Sequence, residues 1–121
     1  YAGPTPLRFH GAVGRARLAD EFRAGSVLVL PSLEEAFGLV VPQALACGLP
    51  CIVSDAVGAS DLISHRVNGS VVPARDAAAL AAELAWWENH GQIVEFEAGW
   101  ERPAARFVAE HQRLLAGDRH A

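Results

Sequence analysis

PSLEEAFGLVVPQALACGLPCIVS, residues 31–54, is the stretch that decides the fold. It is nearly free of ordinary surface chemistry, yet one acid, Glu35, stands just before Phe37-Gly38. The apolar run Val27–Leu30 leads into it, Gly38 lies in the turn, and a short helix follows. A strand, a Gly-containing turn and a helix start together present backbone N–H groups to an anion. Residues 31–39 therefore read as a turn that holds a ligand phosphate.

Outward from that turn, alternating elements with short connections emerge. Leu7–His10 predicts a short strand ending at Gly11, and Arg15–Ala24 carries apolar residues at helical spacing. Val27–Leu30, a continuous apolar run stopped by Pro31, predicts a strand buried on both faces rather than an edge strand. Leu39–Cys47 predicts a helix that tolerates Pro42 in its first turn and stops at Gly48 in a left-handed cap. Cys51–Ser54 is a second buried strand, followed by the small-residue loop Asp55–Ala59 and a turn of helix around Asp61–Ser64. Asn68-Gly69 signals a turn, and Ser70–Val72 predicts a last short strand. Asp76 is placed to cap a helix over 77–88 whose Leu80, Leu84 and Trp87 share a face. A further helical pattern runs from Trp100 to Leu115, with Phe107, His111 and Leu114 on one side.

The fold class is therefore α/β, a Rossmann-like parallel sheet with helices on both faces. With 121 residues, the chain is expected to form a single domain over 1–121. In such sheets ligands sit at the carboxyl ends of the strands. Glu35–Gly38 and Asp55–Asp61 should then face one crevice.

Composition removes several function classes. With 51% apolar and 20% charged residues, disorder is not expected. A net charge of −4 with scattered basic residues leaves no footprint for nucleic acid. Pro42, Gly48 and Pro50 interrupt the longest apolar stretch, so no membrane span is expected and the chain reads as soluble. There is no signal-peptide pattern and no methionine, so Tyr1 is not expected to be a native start and the chain reads as a fragment. Cys47 and Cys51 have neither redox nor zinc spacing. They are expected to be a buried pair of small apolar residues, which suits a cytoplasmic compartment. The five histidines form no H-x-x-x-H pair, and no metal site is expected. His10 is expected as a partly buried strand-end residue, and Trp86, Trp87 and Trp100 as packing residues rather than sugar platforms.

The segment PSLEEAFGLVVPQALACGLPCIVSD resembles the donor-binding segment of the retaining glycosyltransferases of the two-domain GT-B fold, the glycosyl transferases group 1 family. In that family Pro-Ser precedes Glu-Gly-Phe-Gly, a second Glu follows after seven residues, and a small-residue helix ends in Gly-x-Pro before the next strand. Pro31, Ser32, Glu35, Phe37, Gly38, Leu39, Ala44, Gly48 and Pro50 stand at matching positions. The resemblance extends weakly over Phe9–Gly11 and Val27–Leu30, and downstream through Asn68-Gly69 and helix 77–88.

It implies that the chain is the C-terminal, nucleotide-sugar-binding portion of a glycosyltransferase that transfers sugar with retention. Glu35 would be the catalytic residue, its carboxylate accepting hydrogen bonds from hydroxyls of the donor sugar. The backbone N–H groups of Phe37, Gly38 and Leu39 would lie against sugar and diphosphate, and Gln43 would hold the ribose. The nucleotide-diphosphate sugar is a substrate, and neither cofactor nor metal is required. The acceptor is not named by the sequence. The resemblance assigns acceptor binding, the cationic half of the diphosphate site and any peripheral membrane contact to sequence before Tyr1.

Three positions depart from the family. Gln43 replaces the second Glu, Ala36 replaces the glycine of Glu-Gly-Phe-Gly, and Asp61 stands where the family often has Glu. A neutral acceptor at Gln43 weakens the ribose contact, and Ala36 restricts the turn if that position needs φ > 0. Gln43, Ala36 and the missing cationic half motivate an alternative, a degenerate non-catalytic module that keeps the fold for interaction or regulation. A flavodoxin-like receiver fits the strand pattern alone but leaves Glu35, Phe37 and Gly38 unexplained.

Overall fold

The computed structural model describes residues 6–91, 93–95, 112–113 and 116–117. In chain order these form α1 (Arg15–Ala24), β1 (Leu28–Leu30), α2 (Val40–Ala46), β2 (Cys51–Ser54), a 3-10 helix (Gly58–Leu62), β3 (Gly69–Val72) and α3 (Ala77–His90). The three strands are parallel in the order β1-β2-β3. Leu28 pairs with Cys51 and Cys51 with Gly69, so the strands start level and their carboxyl ends share one edge.

Register fixes which helix covers which face, because neighbouring residues of a strand point to opposite sides. The Cys51 Sγ lies 3.8 Å from the Val41 carbonyl of α2, so the odd-numbered face of β2 carries α2. Ser70, in register with Ile52, accepts a 2.9 Å hydrogen bond from Trp87 Nε1 of α3 on the other face. Helices therefore lie on both faces, as the sequence predicts. The core gathers Val41, Ala44 and Leu45 from α2, all of β2 except Ser54, and Val57, Ala59, Val72 and Trp87. Fully burying a side chain such as Val41, Leu45 or Ile52 contributes about 1.5–3 kcal/mol, so this layer contact dominates the stability of the described part.

The helices begin and end for local reasons. Asp76 caps α3 by accepting from the Ala79 N–H at 2.9 Å, as expected from sequence, and the helix runs two residues past its predicted end to His90. Gly48 follows α2 at φ +81°, the left-handed conformation predicted for it, and donates to the Leu45 carbonyl. Arg17 and Glu21 pair along α1, whose one buried residue is Phe22.

Several expectations are corrected. Leu7–His10 is not a strand: it is irregular and exposed, with Phe9 93% accessible, because no neighbouring strand among the described residues pairs with it. His10 is accordingly exposed rather than partly buried, with its Nδ1 3.7 Å from Glu21. β1 is an edge strand among the described residues, each of its residues only half-buried, because β2 is its one partner. Helix near Asp61 starts earlier, at Gly58, and ends before Ser64. The turn read at Asn68-Gly69 is present over residues 66–68, beginning with Arg66 at φ +58° and ending where Gly69 opens β3. Asn68 also ties that turn from inside, accepting from Ser64 N–H at 2.8 Å and donating to Leu62 at 3.0 Å. Cys51 is buried as expected, and loss of hydration pushes its thiol up to about 12, but Cys47 is only half-buried. Trp87 is a core residue, whereas Trp86 is half-buried beside Arg66 and stacked on His90. Trp100 and nearly all of the helix predicted from it to Leu115, including Phe107, His111 and Leu114, fall outside the described residues.

One carboxylate is buried where the sequence shows no sign of it. Glu83, in the middle of α3, accepts from Ser70 Oγ at 2.6 Å and from Arg66 at 3.1 Å. Burial alone would raise its pKa, but the hydrogen bonds from Arg66 and Ser70 and the charges of Arg66 and His65 outweigh burial and hold it below the ordinary value. A carboxyl held low stabilises the fold fully above the unfolded-chain value of about 4.3 and loses that contribution as pH falls through the folded value. Glu83→Gln should therefore cost about 1 kcal/mol at neutral pH, by exchanging charge-assisted bonds for neutral ones. Urea midpoints of wild type and variant should converge as the pH is lowered below the unfolded value. A gap that stays constant with pH would contradict this account.

Candidate functional site

The turn after β1 and the loop after β2 do more than share an edge. They are laced together by main-chain bonds: Glu35 N–H to the Ala56 carbonyl at 3.2 Å, Gly58 N–H to the Glu35 carbonyl at 3.2 Å, and Ala59 N–H to the Phe37 carbonyl at 2.7 Å. Glu35 and Val57 thereby form a short parallel bridge beyond the ends of the strands. Below them, the Ser54 hydroxyl donates to the Ser32 carbonyl. The crevice expected between the two loops is thus a closed seam, and the turn residues face outward from it.

Gly38 turns the chain at φ +86°, with Val57 and Leu30 packed so closely that a Cβ there would meet Val57 Cγ1 at 3.0 Å. Ala36 is not in the left-handed region, so its replacement of the family glycine leaves the backbone of the turn unrestricted. Phe37 and Leu39 are exposed, at 42% and 57%. Among the described residues no acceptor binds the N–H groups of Phe37, Gly38 or Leu39. The Glu35 side chain is exposed, and its carboxylate makes neither hydrogen bond nor ion pair among the described residues. Gln43 is exposed on α2, one turn beyond Leu39, whose carbonyl accepts from its N–H at 3.4 Å. Leu39 and Gln43 therefore share a helix face. The five residues singled out in the sequence thus lie on one turn and the first turn of the helix that follows.

An outward carboxylate beside three unbonded N–H groups offers acceptors to hydroxyls and donors to an anion within one short segment. α2 is only seven residues long and has no charged residue in its first turn, so its dipole is a small contribution. Among the described residues no group of three or more His, Cys, Asp and Glu could hold a metal ion. Asp61, in the 3-10 helix, is exposed.

A sizeable hollow among the described residues lies elsewhere. A groove of about 1080 Å³ at the amino ends of the strands is lined by Phe22, Leu49, Leu84, Trp87 and Ile93. It is mostly apolar, with Arg23 and Glu88 also in its lining, and it does not include Glu35; ligands of open parallel sheets bind at the opposite edge. A smaller hollow of about 220 Å³ lies at the carboxyl edge between Pro31, Ser54, Val72 and Leu80. Neither is lined by Glu35, which is exposed. The groups that sequence reading missed are Ala56, Gly58 and Ala59. Their one signal was the run of small residues after β2, which permits close backbone approach.

A parallel sheet with helices on both faces and an acid-bearing turn at its carboxyl edge defines a Rossmann-like domain of the GT-B type. The chain belongs to the glycosyl transferases group 1 family, whose model matches residues 3–89. It is 40% identical over 89 residues to the D-inositol 3-phosphate glycosyltransferase of Streptomyces griseus subsp. griseus, covering 74% of this chain and 19% of that protein. The same enzyme of Streptomyces bingchenggensis is 41% identical, over 93% of this chain and 27% of its own length. The chain thus spans about a fifth to a quarter of these relatives. Among solved structures, sucrose-phosphate synthase from Thermosynechococcus elongatus superposes with a TM-score of 0.66 at 30% identity, over 91% of this chain and 30% of that one. HepE of Anabaena in complex with UDP gives 0.53 at 28% identity, over 57% and 19%. No helix among the described residues is long and apolar enough to cross a membrane.

Proposed function

We propose that the chain is the nucleotide-sugar-binding, C-terminal portion of a two-domain glycosyltransferase that transfers sugar with retention, in a reducing, cytoplasmic setting. Glu35 accepts hydrogen bonds from donor-sugar hydroxyls and supports positive charge as it develops at the anomeric carbon. The N–H groups of Phe37, Gly38 and Leu39 receive the sugar and diphosphate oxygens, and Gln43 accepts from the ribose. The cations that neutralise the diphosphate, and the acceptor site, belong to sequence outside this chain. The observation that carries the reading is the exposed Glu35 carboxylate, without a partner among the described residues, beside three N–H groups likewise unbonded among them, on a turn whose backbone is pinned.

Calorimetry of the full-length protein with UDP-glucose, UDP-N-acetylglucosamine, GDP-mannose and ADP-glucose tests it. Binding of at least one donor supports the proposal, and binding of none of them sinks it. A second reading, a non-catalytic module that has kept the fold, is favoured by Gln43 in the place of a family Glu. Gln43→Glu separates the two. If Gln43 faces a ribose, a charged acceptor there should tighten donor binding about fivefold, the equivalent of about 1 kcal/mol. Unchanged affinity would remove Gln43 from the site and strengthen the module reading.

A further inference from the structure

We infer that Gly58, which touches no substrate in the proposed reading, is the residue that positions Glu35. Two observations converge on it. Its N–H donates to the Glu35 carbonyl at 3.2 Å, and the next N–H, of Ala59, donates to the Phe37 carbonyl at 2.7 Å. The residue between these two acceptors, Ala36, runs directly over the Gly58 Cα. A Cβ at Gly58 would penetrate the Ala36 carbonyl oxygen and lie 3.0 Å from Phe37 Cα and 3.1 Å from the Ala36 carbonyl carbon. All of these are backbone atoms and cannot rotate aside.

The absence of a side chain at Gly58 thus sets the separation between two loops that rise from different strands. Gly58 is not in the left-handed region, so conformational freedom is not what the position demands. It demands contact distance. From the other side, Val57 packs on Gly38 and Ser54 anchors Ser32. The turn is therefore held at its base by Ser54, at its middle by Gly58 and Ala59, and at its far end by Val57. Its exposed surface is left bare. Displacing Ala36 swings Glu35, whose carbonyl and N–H both belong to the seam. A misplacement on the order of 1 Å at a catalytic group reduces rate about 100-fold.

This inference rests on the proposed role of Glu35, and its test keeps the two apart. In the full-length protein, donor binding and slow donor hydrolysis without acceptor are measured with the same four nucleotide sugars. The variants are Glu35→Ala, Gly58→Ala and the double variant. Gly58→Ala should lower kcat about 10- to 100-fold, with a smaller change in donor KM. Because Gly58 acts through Glu35, the double variant should be no slower than Glu35→Ala alone, a non-additivity that a merely structural role would not produce. Multiplying effects, or a Gly58→Ala enzyme as fast as wild type, would overturn the inference while leaving Glu35 in place. No effect of Glu35→Ala, or no donor bound at all, would remove the functional reading and the inference with it. Should Gly58→Ala fail to fold, Ser54→Ala carries the same cycle, since it loosens the base of the turn without adding volume. It should reduce kcat in the same non-additive way, and an unchanged kcat would count against the positioning role.

Discussion

Glu35→Ala in the full-length protein is expected to reduce turnover of its nucleotide-sugar donor by about 100- to 1000-fold, the scale seen when one preorganised electrostatic group is removed from a reacting centre. The same change should leave the fold untouched. The turn is held by the N–H and carbonyl of residue 35, through Ala56 and Gly58, and those groups remain in any side chain. The carboxylate has no partner among the described residues, so its loss is expected within about 0.5 kcal/mol of neutral for stability. Function and stability are therefore expected to separate at this position. Circular dichroism melts beside donor-hydrolysis rates would check both halves. Glu34→Ala serves as control, since Glu34 is an exposed neighbour with no assigned role. Turnover within a few-fold of wild type for Glu35→Ala would end the proposed role.

The largest loss of stability is expected from Gly69→Ala. Gly69 opens β3 in register with Cys51, and a Cβ there would enter the Cys51 carbonyl oxygen while lying 3.0 Å from its carbonyl carbon and 3.1 Å from its nitrogen. The obstacle is the main chain of the most buried strand, whose four residues are all covered. Relief requires β3 to move away from β2. That movement carries Ser70 out from between Trp87 and Glu83, leaving a buried carboxylate and an indole N–H short of a partner. Overpacking and the broken network together should cost about 3 kcal/mol or more. Urea unfolding followed by far-ultraviolet circular dichroism would show it as a lowered midpoint. A midpoint equivalent to less than about 1 kcal/mol of loss would mean that the strands accommodate the methyl group by sliding.

What was legible in the sequence, and what was not, divides along one line. α1 and β2 fall on their expected residues because side-chain pattern defines them: Phe22 and Leu18 at helical spacing, Cys51–Ser54 as an apolar run after Pro50. Gly48 and Asp76 were readable because positive φ and helix capping select particular residue types, and Gly38 as the glycine of a turn, though its positive φ was not read. Leu7–His10 has the pattern of a strand, but a strand is made by its neighbour, and pattern cannot supply one. The seam between Glu35 and Gly58 was hidden for a different reason. It is built from main-chain bonds among small residues, so it leaves no periodicity and no charge pairing. Glu83 was equally opaque: in an Ala-rich helix it reads as solvated surface, until register places Ser70 beneath it and Arg66 beside it.

The outer edge of β1 has a practical consequence. Leu28, Val29 and Leu30 are only half covered, and the backbone groups along that side meet no strand among the described residues. An unpaired apolar edge, even one of three residues, can take an extended chain as a further strand. At the concentrations used for calorimetry or crystallisation, the commonest extended chain in solution is another copy of the same polypeptide. The 121-residue chain by itself is therefore expected to self-associate through this edge. Solution behaviour thus favours keeping this edge covered in any preparation made for study.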